Sequence, residues 1–363
     1  MSFRLKLVIV TATLMLVAVL LVGQVVGRTG ATPQDTYRHI GVFTEVLSRI
    51  KSEYVEEPDM KMVTQGAING LLESIDPYAS YLNKDQYEQY QKHKGEKRPD
   101  VGLILSKRFG YISVVDAVPG SPADKAGMGT GDMIETIAGV STRDMPLAFA
   151  EILLQGDNGS NVDLSVIRVR KPEPQKVTLT RTAIKYPAVT AKLLADGVGH
   201  LALGSLEEGK SKEVAEAVKS LSSQGAKKLV LDLRNAASGP AEEGVALANL
   251  FLEKGLITYL QGQRTEKKEF SAAADKTIWK GPLVVITNRG TASGAELAAA
   301  AILDNNRGKI VGERTYGDAA LRRAVTMEDG GAVILAYLIK LFLPERSSAE
   351  APHTAPLPDG EGT

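Results

Sequence analysis

The sequence contains no cysteine, which excludes disulfide bonds, a thiolate nucleophile and cysteine-ligated metals. Histidine is also scarce, and no two of the four have the spacing of metal ligands on one helix. The 363 residues carry 43 basic and 43 acidic side chains, so the formal net charge is zero. Without a basic excess, the composition gives no reason to expect nucleic acid as a partner. We therefore predict neither a cofactor nor a nucleic-acid ligand.

The first 28 residues predict a membrane anchor or a signal peptide. Arg4 and Lys6 precede an uncharged run from Leu7 to Gly27. As a helix rising about 1.5 Å per residue, this run can cross a hydrocarbon core of about 30 Å. Positive charge before the run favours a cytoplasmic N-terminus and an exported remainder, in the periplasm or another extracytoplasmic part of the cell envelope. A cleaved signal peptide is the alternative, although the run is longer than usual for one.

The rest of the chain divides into three segments and a tail. Residues 29–98 comprise a polar linker and then apolar residues at helical spacing. Residues 99–182 have the pattern of short strands separated by Gly/Pro clusters. Residues 183–346 alternate between buried strands and helices, which predicts an α/β layer with a mostly parallel sheet. Residues 347–363 are rich in Pro, Ser and acidic side chains, and we expect them to be disordered.

A strand-to-helix turn before Ser293 carries the first candidate site. An apolar strand leads into the turn, and an alanine-rich helix begins at Ser293. Backbone N–H groups and the helix dipole at such a position favour an anion, including the oxyanion of an acyl transfer. The alternative requires no chemistry, because Ser293 and Glu296 also fit the S-x-x-E capping box.

Six sequence blocks place this turn in a wider pattern. In chain order they are EYVEEPD, GAINGLLESIDPYASYL, PGSPADKAGMGTGDMIETIAG, VDLSVIRV, LVLDLRN and TASGAELAAAAILDNNRGKIVGERTYG. Together, over roughly residues 36–344, they resemble the carboxyl-terminal processing peptidases, S41-type serine peptidases with a Ser-Lys dyad and an embedded PDZ domain. The resemblance implies an α/β peptidase core, an inserted β-rich PDZ domain and an N-terminal helical segment.

The resemblance also assigns the catalytic positions, and this sequence departs from them. Ser293 matches the nucleophile, Asp318 stands at the lysine position, and Arg322 stands at the supporting glutamine position. A serine hydroxyl is a weak nucleophile until a base takes its proton, and a carboxylate with an ordinary pKa of about 3.9 is a weak base near neutral pH. We expect Arg322 to pair with Asp318 and keep it ionised.

Two interpretations of the departure stay open. The first is a pseudo-peptidase or impaired enzyme that serves as an adaptor. The second is an active serine-type endopeptidase with an unconventional base, for which the candidates are Lys309, Lys340 and His200.

The block that forms the oxyanion hole departs as well. The family's D-L-R-N-N-P-G-G pattern covers residues 232–239 here, and Ser238 stands where the first glycine is expected. Because a serine does not reach all the backbone angles open to glycine, this position weakens the expected oxyanion hole. The resemblance places Ser238 and Gly294 beside the oxyanion.

The PDZ resemblance predicts a peptide-binding groove. PDZ domains bind a peptide C-terminus by adding it to a sheet edge, with the carboxylate held by backbone N–H groups. One wall is the apolar-Gly-apolar loop, and a helix at 144–156 forms the other. The predicted groove residues are Val101, Gly102, Leu103, Ile104, Leu147 and Ile152. The expected partners are C-terminal segments of exported proteins.

Two further functions rest on the resemblance. Arg168 matches an arginine that couples the position of the PDZ domain to the active site, although a solvated strand arginine is the alternative. The N-terminal helices resemble a segment that mediates dimer formation, so we expect a homodimer or a mixed oligomer with an active relative.

Overall fold

The computed structural model describes residues 33–341, except 77, 94, 95, 97, 109, 169, 170 and 319. The predicted anchor at residues 1–28 and the predicted tail at 347–363 lie outside this part. Within it, no helix combines the length and the apolar composition that crossing a membrane would require.

The chain forms two compact units, residues 1–65 and 66–363. The first contains helix α1 (Pro33–Glu53) and the beginning of α2 (Met60–Glu73). Asp59 caps α2, because its side chain accepts hydrogen bonds from the N–H groups of Lys61 (2.9 Å) and Met62 (3.2 Å). Apolar residues of α1 such as Val42 and Val46 recur at helical spacing but are more than half exposed.

The second unit holds the remaining elements. Its further helices are α3 (Lys84–His93), α4 (Pro122–Lys125), α5 (Leu147–Leu154), α6 (Lys210–Ser223), α7 (Ala241–Asn249) and α8 (Ser293–Asp304). Its strands are β1 (Ser80–Leu82), β2 (Leu103–Arg108), β3 (Tyr111–Ala117), β4 (Met133–Ile137), β5 (Val140–Ser141), β6 (Asn161–Arg168), β7 (Lys171–Thr180), β8 (Thr190–Leu193), β9 (Val198–Ala202), β10 (Lys228–Asp232), β11 (Leu256–Gly262), β12 (Thr265–Ser271), β13 (Leu283–Thr287), β14 (Lys309–Gly312), β15 (Ala320–Thr326) and β16 (Ala332–Leu341).

The predicted mostly parallel sheet is confirmed. Its strand order is β14-β13-β10-β9-β8, and only the edge strand β8 runs antiparallel to its neighbour. The residues of α6, α7 and α8 that face this sheet are apolar and form one core with it, in which Leu231, Phe251 and Val285 are fully buried. This is the layered packing that alternating strands and helices predict.

A second, antiparallel sheet was not predicted. It has the order β1-β16-β11-β12, with β15 paired to β16. The sequence predicted strands at β14 and β16 but only one mostly parallel sheet. Ser80 pairs with Ile334 across this sheet, so the N-terminal segment contributes a strand to the peptidase core. Apolar periodicity identifies a strand but not its partner, which here lies more than 200 residues away.

The β-rich segment forms a third sheet, with the order β2-β3-β4-β6-β7 and β5 paired to β4. All its pairs are antiparallel, and β2 lies at an edge. Helix α5 packs on it through Leu147, Ala150 and Leu154.

Arg181 closes the carboxyl end of α5. Its guanidinium donates to the carbonyls of Leu154 (2.8 Å), Leu153 (2.9 Å) and Asn161 (2.9 Å) and to Ser160 Oγ (3.0 Å). Carbonyls in the last turn of a helix lack partners within the helix, and a cation there also stabilises the helix dipole.

We expect Arg181→Lys to lower the free energy of unfolding of the β-rich domain by about 2 kcal/mol, because one ammonium cannot replace the planar fork of donors. Denaturant titration and hydrogen exchange of the α5 amides in the full chain measure the loss. Arg143→Lys, at an exposed position, is the matched control. Equal stability of the two variants would contradict the assignment.

Candidate functional site

Ser293 stands at the first residue of α8, directly after the turn that follows β13. Its backbone φ is +53°, which is in the left-handed region that a non-glycine residue rarely adopts. Its neighbour Gly294 leaves no room for a side chain, since a Cβ there would lie 2.6 Å from the Pro240 carbonyl oxygen. The small residues expected at this turn therefore allow α8 to approach the block at 232–240.

The Ser293 hydroxyl donates a hydrogen bond to the carbonyl of Gly239 over 2.9 Å. An amide carbonyl orients a hydroxyl but is far too weak a base to take its proton. Among the described residues, the hydroxyl therefore has a structural partner and no base.

The capping-box interpretation of Ser293 and Glu296 is wrong. The residue that caps α8 is Ala292, and its side chain makes no capping hydrogen bond. The Glu296 carboxylate instead accepts hydrogen bonds from Thr315 Oγ1, from the Gly317 N–H (2.7 Å) and from the Asp318 N–H (3.0 Å). Glu296 thus fixes the loop that carries Asp318 against α8.

The electrostatics of this buried carboxyl are unfavourable. Burial raises the pKa of Glu296, the hydrogen bonds from Thr315 and Gly317 act against that shift, and the negative charge of Asp318 adds to it. A lysine at position 318 would have the opposite sign and would lower this pKa instead.

Arg322 binds two carboxylates. Its Nη1 donates to Asp318 Oδ1 (3.0 Å), as expected from the sequence, and its Nε and Nη2 donate to Asp76 Oδ2 (3.0 Å) and Oδ1 (3.3 Å). The guanidinium also lies over the ring of Tyr78, 4.1 Å from its centroid. Burial lowers the pKa of Arg322, but the hydrogen bond to Asp76 and the charge of Asp318 outweigh burial, so the pKa lies above its ordinary value.

The sequence alone does not indicate Asp76 and Tyr78 as site residues. Both lie in the GAINGLLESIDPYASYL block. The number of hydrogen-bond donors on Arg322 is the one signal for them in the sequence. An arginine that pairs with Asp318 alone would leave donors of its guanidinium without acceptors in a largely buried site.

The block expected to form the oxyanion hole lies against the nucleophile turn. The Ala292 N–H donates to the Ala236 carbonyl (3.1 Å), and Thr291 Oγ1 donates to the Leu233 carbonyl (2.8 Å). The carbonyl of Ser238 accepts from the Leu206 N–H (2.9 Å). Ser238 and Gly294 therefore lie on the two segments that meet at Ser293, and their place beside an oxyanion stays a prediction.

The β-rich domain covers this turn. Val115 of β3 and Ile104 of β2 form one apolar cluster with Ala237, Ala292 and Tyr316 of the peptidase core. Ala237 precedes Ser238 and Ala292 precedes Ser293, so the cluster packs against both segments of the site.

The predicted groove residues divide between two faces of β2. Val101 and Leu147 are buried in the core of the β-rich domain, Leu103 packs against that core, and Ile152 on α5 is half-buried. The side chain of Ile104 does not line the groove as predicted but faces the peptidase core. The reason is the alternation of side chains along a strand, which places Ile104 opposite Leu103 and Leu105.

Gly102 has a φ of +81°, and a Cβ there would lie 2.3 Å from Ser121 Cβ. The glycine expected in the loop is thus required by both backbone angle and space.

Arg168 binds within its own domain. It is half-buried, and its Nη2 donates to the Ala126 carbonyl over 3.1 Å. It is therefore not a freely solvated strand residue, and its coupling to the active site stays a prediction.

Within the described part, neither His200 nor Lys309 makes a hydrogen bond to Ser293. His200 Nε2 lies 3.4 Å from Asp232 Oδ2, and Asp232 also binds Arg234. Lys309 is exposed on β14, and the side chain of Lys340 lies outside the described part. Over that part, no group of three acidic or histidine side chains could hold a metal ion.

This combination of a parallel α/β core, a PDZ-like sheet and a serine at a strand-to-helix turn defines an S41-type peptidase fold. The chain matches the peptidase family S41 over residues 197–356, a PDZ domain over 113–168 and the N-terminal domain of the activating protease CtpB over 24–86. The carboxyl-terminal-processing protease of Synechocystis sp. (strain ATCC 27184 / PCC 6803 / Kazusa) is 31% identical over 292 residues, which are 78% of this chain and 68% of that protein.

Two further relatives agree. The carboxy-terminal processing protease CtpA of Bacillus subtilis (strain 168) is 29% identical over 346 residues, covering 92% of this chain and 73% of that protein. The solved structure of the photosystem II D1 C-terminal processing protease has a TM-score of 0.67 and 26% identity, and the match covers 83% of this chain and 87% of that one. This chain therefore belongs to the carboxyl-terminal processing protease family, peptidase family S41 with a PDZ domain.

Gly239 holds the partner of the Ser293 hydroxyl. Its φ is +126°, and a Cβ there would lie 1.9 Å from the Leu206 carbonyl oxygen. We expect Gly239→Ala to destabilise the chain by more than about 2 kcal/mol, since backbone strain and overpacking add. Gly225→Ala is the control, because Gly225 has a φ of +97° with nothing within 4 Å. Urea unfolding that finds equal losses at both positions would show that the approach to Leu206 is unimportant.

Proposed function

We propose that this member of the family is a pseudo-peptidase, or a severely impaired enzyme, whose PDZ domain binds C-terminal segments of exported proteins. One observation carries the first part. The residue at the lysine position, Asp318, is paired with Arg322, while the Ser293 hydroxyl donates to a backbone carbonyl.

The chemistry explains why this arrangement impairs acyl transfer. Attack by Ser293 on a peptide carbonyl requires a group that removes the hydroxyl proton as the bond forms. A carboxylate that is paired with a guanidinium is a poor proton acceptor near neutral pH. Its negative charge also opposes the oxyanion that develops beside Ser293.

The alternative is an active serine-type endopeptidase with an unconventional base. The observation in its favour is the left-handed backbone of Ser293, at a φ of +53°. Such strain persists where the surrounding structure maintains it, often at functional sites.

The remaining parts of the proposal rest on the sequence. We assign residues 1–28 to an anchor or signal peptide, 29–98 to the N-terminal helical segment, 99–182 to the PDZ domain and 183–346 to the peptidase core. Export to the cell envelope follows from Arg4, Lys6 and the uncharged run after them. A homodimer, or a mixed oligomer with an active relative, follows from the N-terminal helices.

We expect the purified chain to cleave unfolded polypeptides no faster than its Ser293→Ala variant, and Ser293 not to react with a fluorophosphonate probe. Both results follow from the absence of a base on the hydroxyl. Cleavage by the wild type that Ser293→Ala abolishes would establish the active alternative, and a base would have to be sought near Ser293.

The charge of Arg322 also determines whether a lysine at position 318 restores activity. Asp318→Lys alone would place an ammonium beside the Arg322 guanidinium, so little activity is expected from it. Asp318→Lys combined with Arg322→Gln removes that repulsion and should be the more active of the two variants. Strong rescue by the single change would show that Arg322 and Ser238 are harmless to catalysis.

For the PDZ domain we expect binding of peptides with free apolar C-termini in the micromolar range, about 8 kcal/mol. Amidation removes the carboxylate and should weaken binding sharply. Gly102→Val should do the same, because no side chain fits beside Ser121. Gly139→Val is the control, since Gly139 has a φ of +80° with nothing within 4 Å. Fluorescence titration of the full chain with a peptide and its amidated twin decides the question, and equal affinities would leave the domain as a spacer.

A further inference from the structure

Asp116 on β3 is a buried carboxyl group without a counter-charge. Its side chain is only 8% exposed. Its Oδ1 accepts the N–H of the next residue, Ala117 (2.9 Å), while its Oδ2 is buried with no hydrogen-bond partner among the described residues. Leaving a carboxylate oxygen in this condition is costly, because ionisation would bury an uncompensated charge.

A β-bulge directs Asp116 toward the peptidase core. Ile104 of β2 pairs with Asp116, whereas the next residue, Leu105, pairs with Val114, so Val115 is the extra residue on β3. Directly opposed residues of an antiparallel pair share a face, and a bulge lets two consecutive residues share it. Asp116 therefore lies on the face that carries Ile104 and Val115.

That face is the one that packs on the nucleophile turn. Ile104 and Val115 contact Ala237, Ala292 and Tyr316 of the peptidase core. Asp116 thus lies at the junction where the PDZ domain packs on Ala292, the residue before Ser293.

The charges around Asp116 oppose its ionisation. The charged neighbour that acts on it is Asp124 of α4, and no ion pair to Asp116 is found within the described part. The peptidase-core side chains that cluster with Ile104 and Val115 are those of Ala237, Ala292 and Tyr316, and of these only the phenol of Tyr316 is titratable. Burial raises the pKa of Asp116 to about 6, the charge of Asp124 acts in the same direction, and the Ala117 N–H acts against both.

We propose that Asp116 is a proton-controlled latch: its neutral form holds the PDZ domain against the nucleophile turn, and its ionisation releases the domain and uncovers Ser293. The contacts that Ile104 and Val115 make at the junction are apolar, so an ionised carboxylate beside them favours any arrangement that returns it to water. The latch acts on access to the site and is independent of whether Ser293 is catalytic.

The sign follows from linkage. In the released state, exposed to water, the carboxyl group titrates at the ordinary value of about 3.9. Between these two pKa values, the Asp116 carboxyl is protonated when the domain is docked and ionised when it is released. The equilibrium constant for docking therefore falls as the pH rises from about 4 to about 6 and is constant above that. With pKa values about two units apart, docking should weaken by up to about 100-fold.

The absence of native cysteine allows a direct measurement on the full chain. Ala237→Cys places a single thiol at the junction, where Ala237 is 5% exposed. The rate at which this thiol reacts with a pyridyl disulfide, a reagent that works at acidic pH, is measured at each pH. It is divided by the rate for an exposed thiol introduced by Lys219→Cys, which corrects for the pH dependence of the reaction itself. The ratio gives the open fraction even when that fraction is small.

We expect this ratio to rise by up to about 25-fold from pH 4.5 to pH 7, because part of the full change occurs below pH 4.5. Adding Asp116→Asn, which keeps the shape but cannot ionise, should leave the ratio low and constant. Adding Asp163→Asn, which removes a carboxylate from the exposed face of β6, should leave the rise unchanged. A constant ratio in the chain with native Asp116, or a rise that persists with Asp116→Asn, would overturn the latch.

A second measurement covers the case in which Asp116→Asn does not fold. Carbon-13 labelling of aspartate carboxyl groups in the native full chain reports their midpoints. A buried aspartate that titrates near 6 supports the proposal. If every aspartate titrates below about 4.5, Asp116 is charged in the docked state and the latch does not exist.

Discussion

The close approach of α7 and α8 is the constraint on which the site depends. A Cβ at Gly244 would lie 2.3 Å from the Gly294 carbonyl oxygen, so the two helices touch backbone to backbone. This contact places the amino end of α8 against residues 238–240, and it brings the Ser293 hydroxyl to the Gly239 carbonyl. Dense packing of this kind leaves the nucleophile turn few alternative positions.

The charge at position 318 reorganises its surroundings. A lysine base would be attracted by the nearby Glu296, whereas Asp318 repels it and needs a cation of its own. Arg322 supplies that cation and in addition binds Asp76, which ties the loop to the N-terminal segment. The site is therefore rebuilt as an ion-pair network, and its charges stabilise the loop rather than activate the serine. Removing one partner of such a buried ion pair lowers the stability of the fold strongly, because the other charge is left uncompensated.

The two faces of β2 and β3 in the PDZ domain make different contacts. One face of β2 packs with α5 in the core of the domain, while the other face of β2 and β3 packs on the nucleophile turn. Helix α5 also contacts the antiparallel sheet, since Ala148 clusters with Leu82 and Ala332. Strand alternation gives each face its own residues, so ligand binding and docking use different side chains of the same strands. The bulge at Val115 adds Asp116 to the docking face, which places a titratable group in an apolar junction.

The sequence by itself determined the family, the segments of the chain, the parallel sheet and the departure at Asp318, because these depend on local periodicity and on residues at fixed positions in motifs. It also predicted the pair between Asp318 and Arg322, because these opposite charges stand only four residues apart in the sequence. Only the tertiary structure decided the antiparallel sheet that includes β1, the second partner of Arg322 at Asp76 and the role of Glu296. It also decided that Ile104 faces the peptidase core. Each of these depends on which distant segments meet or on a one-residue bulge, and a pattern of apolar and polar residues carries no information about either.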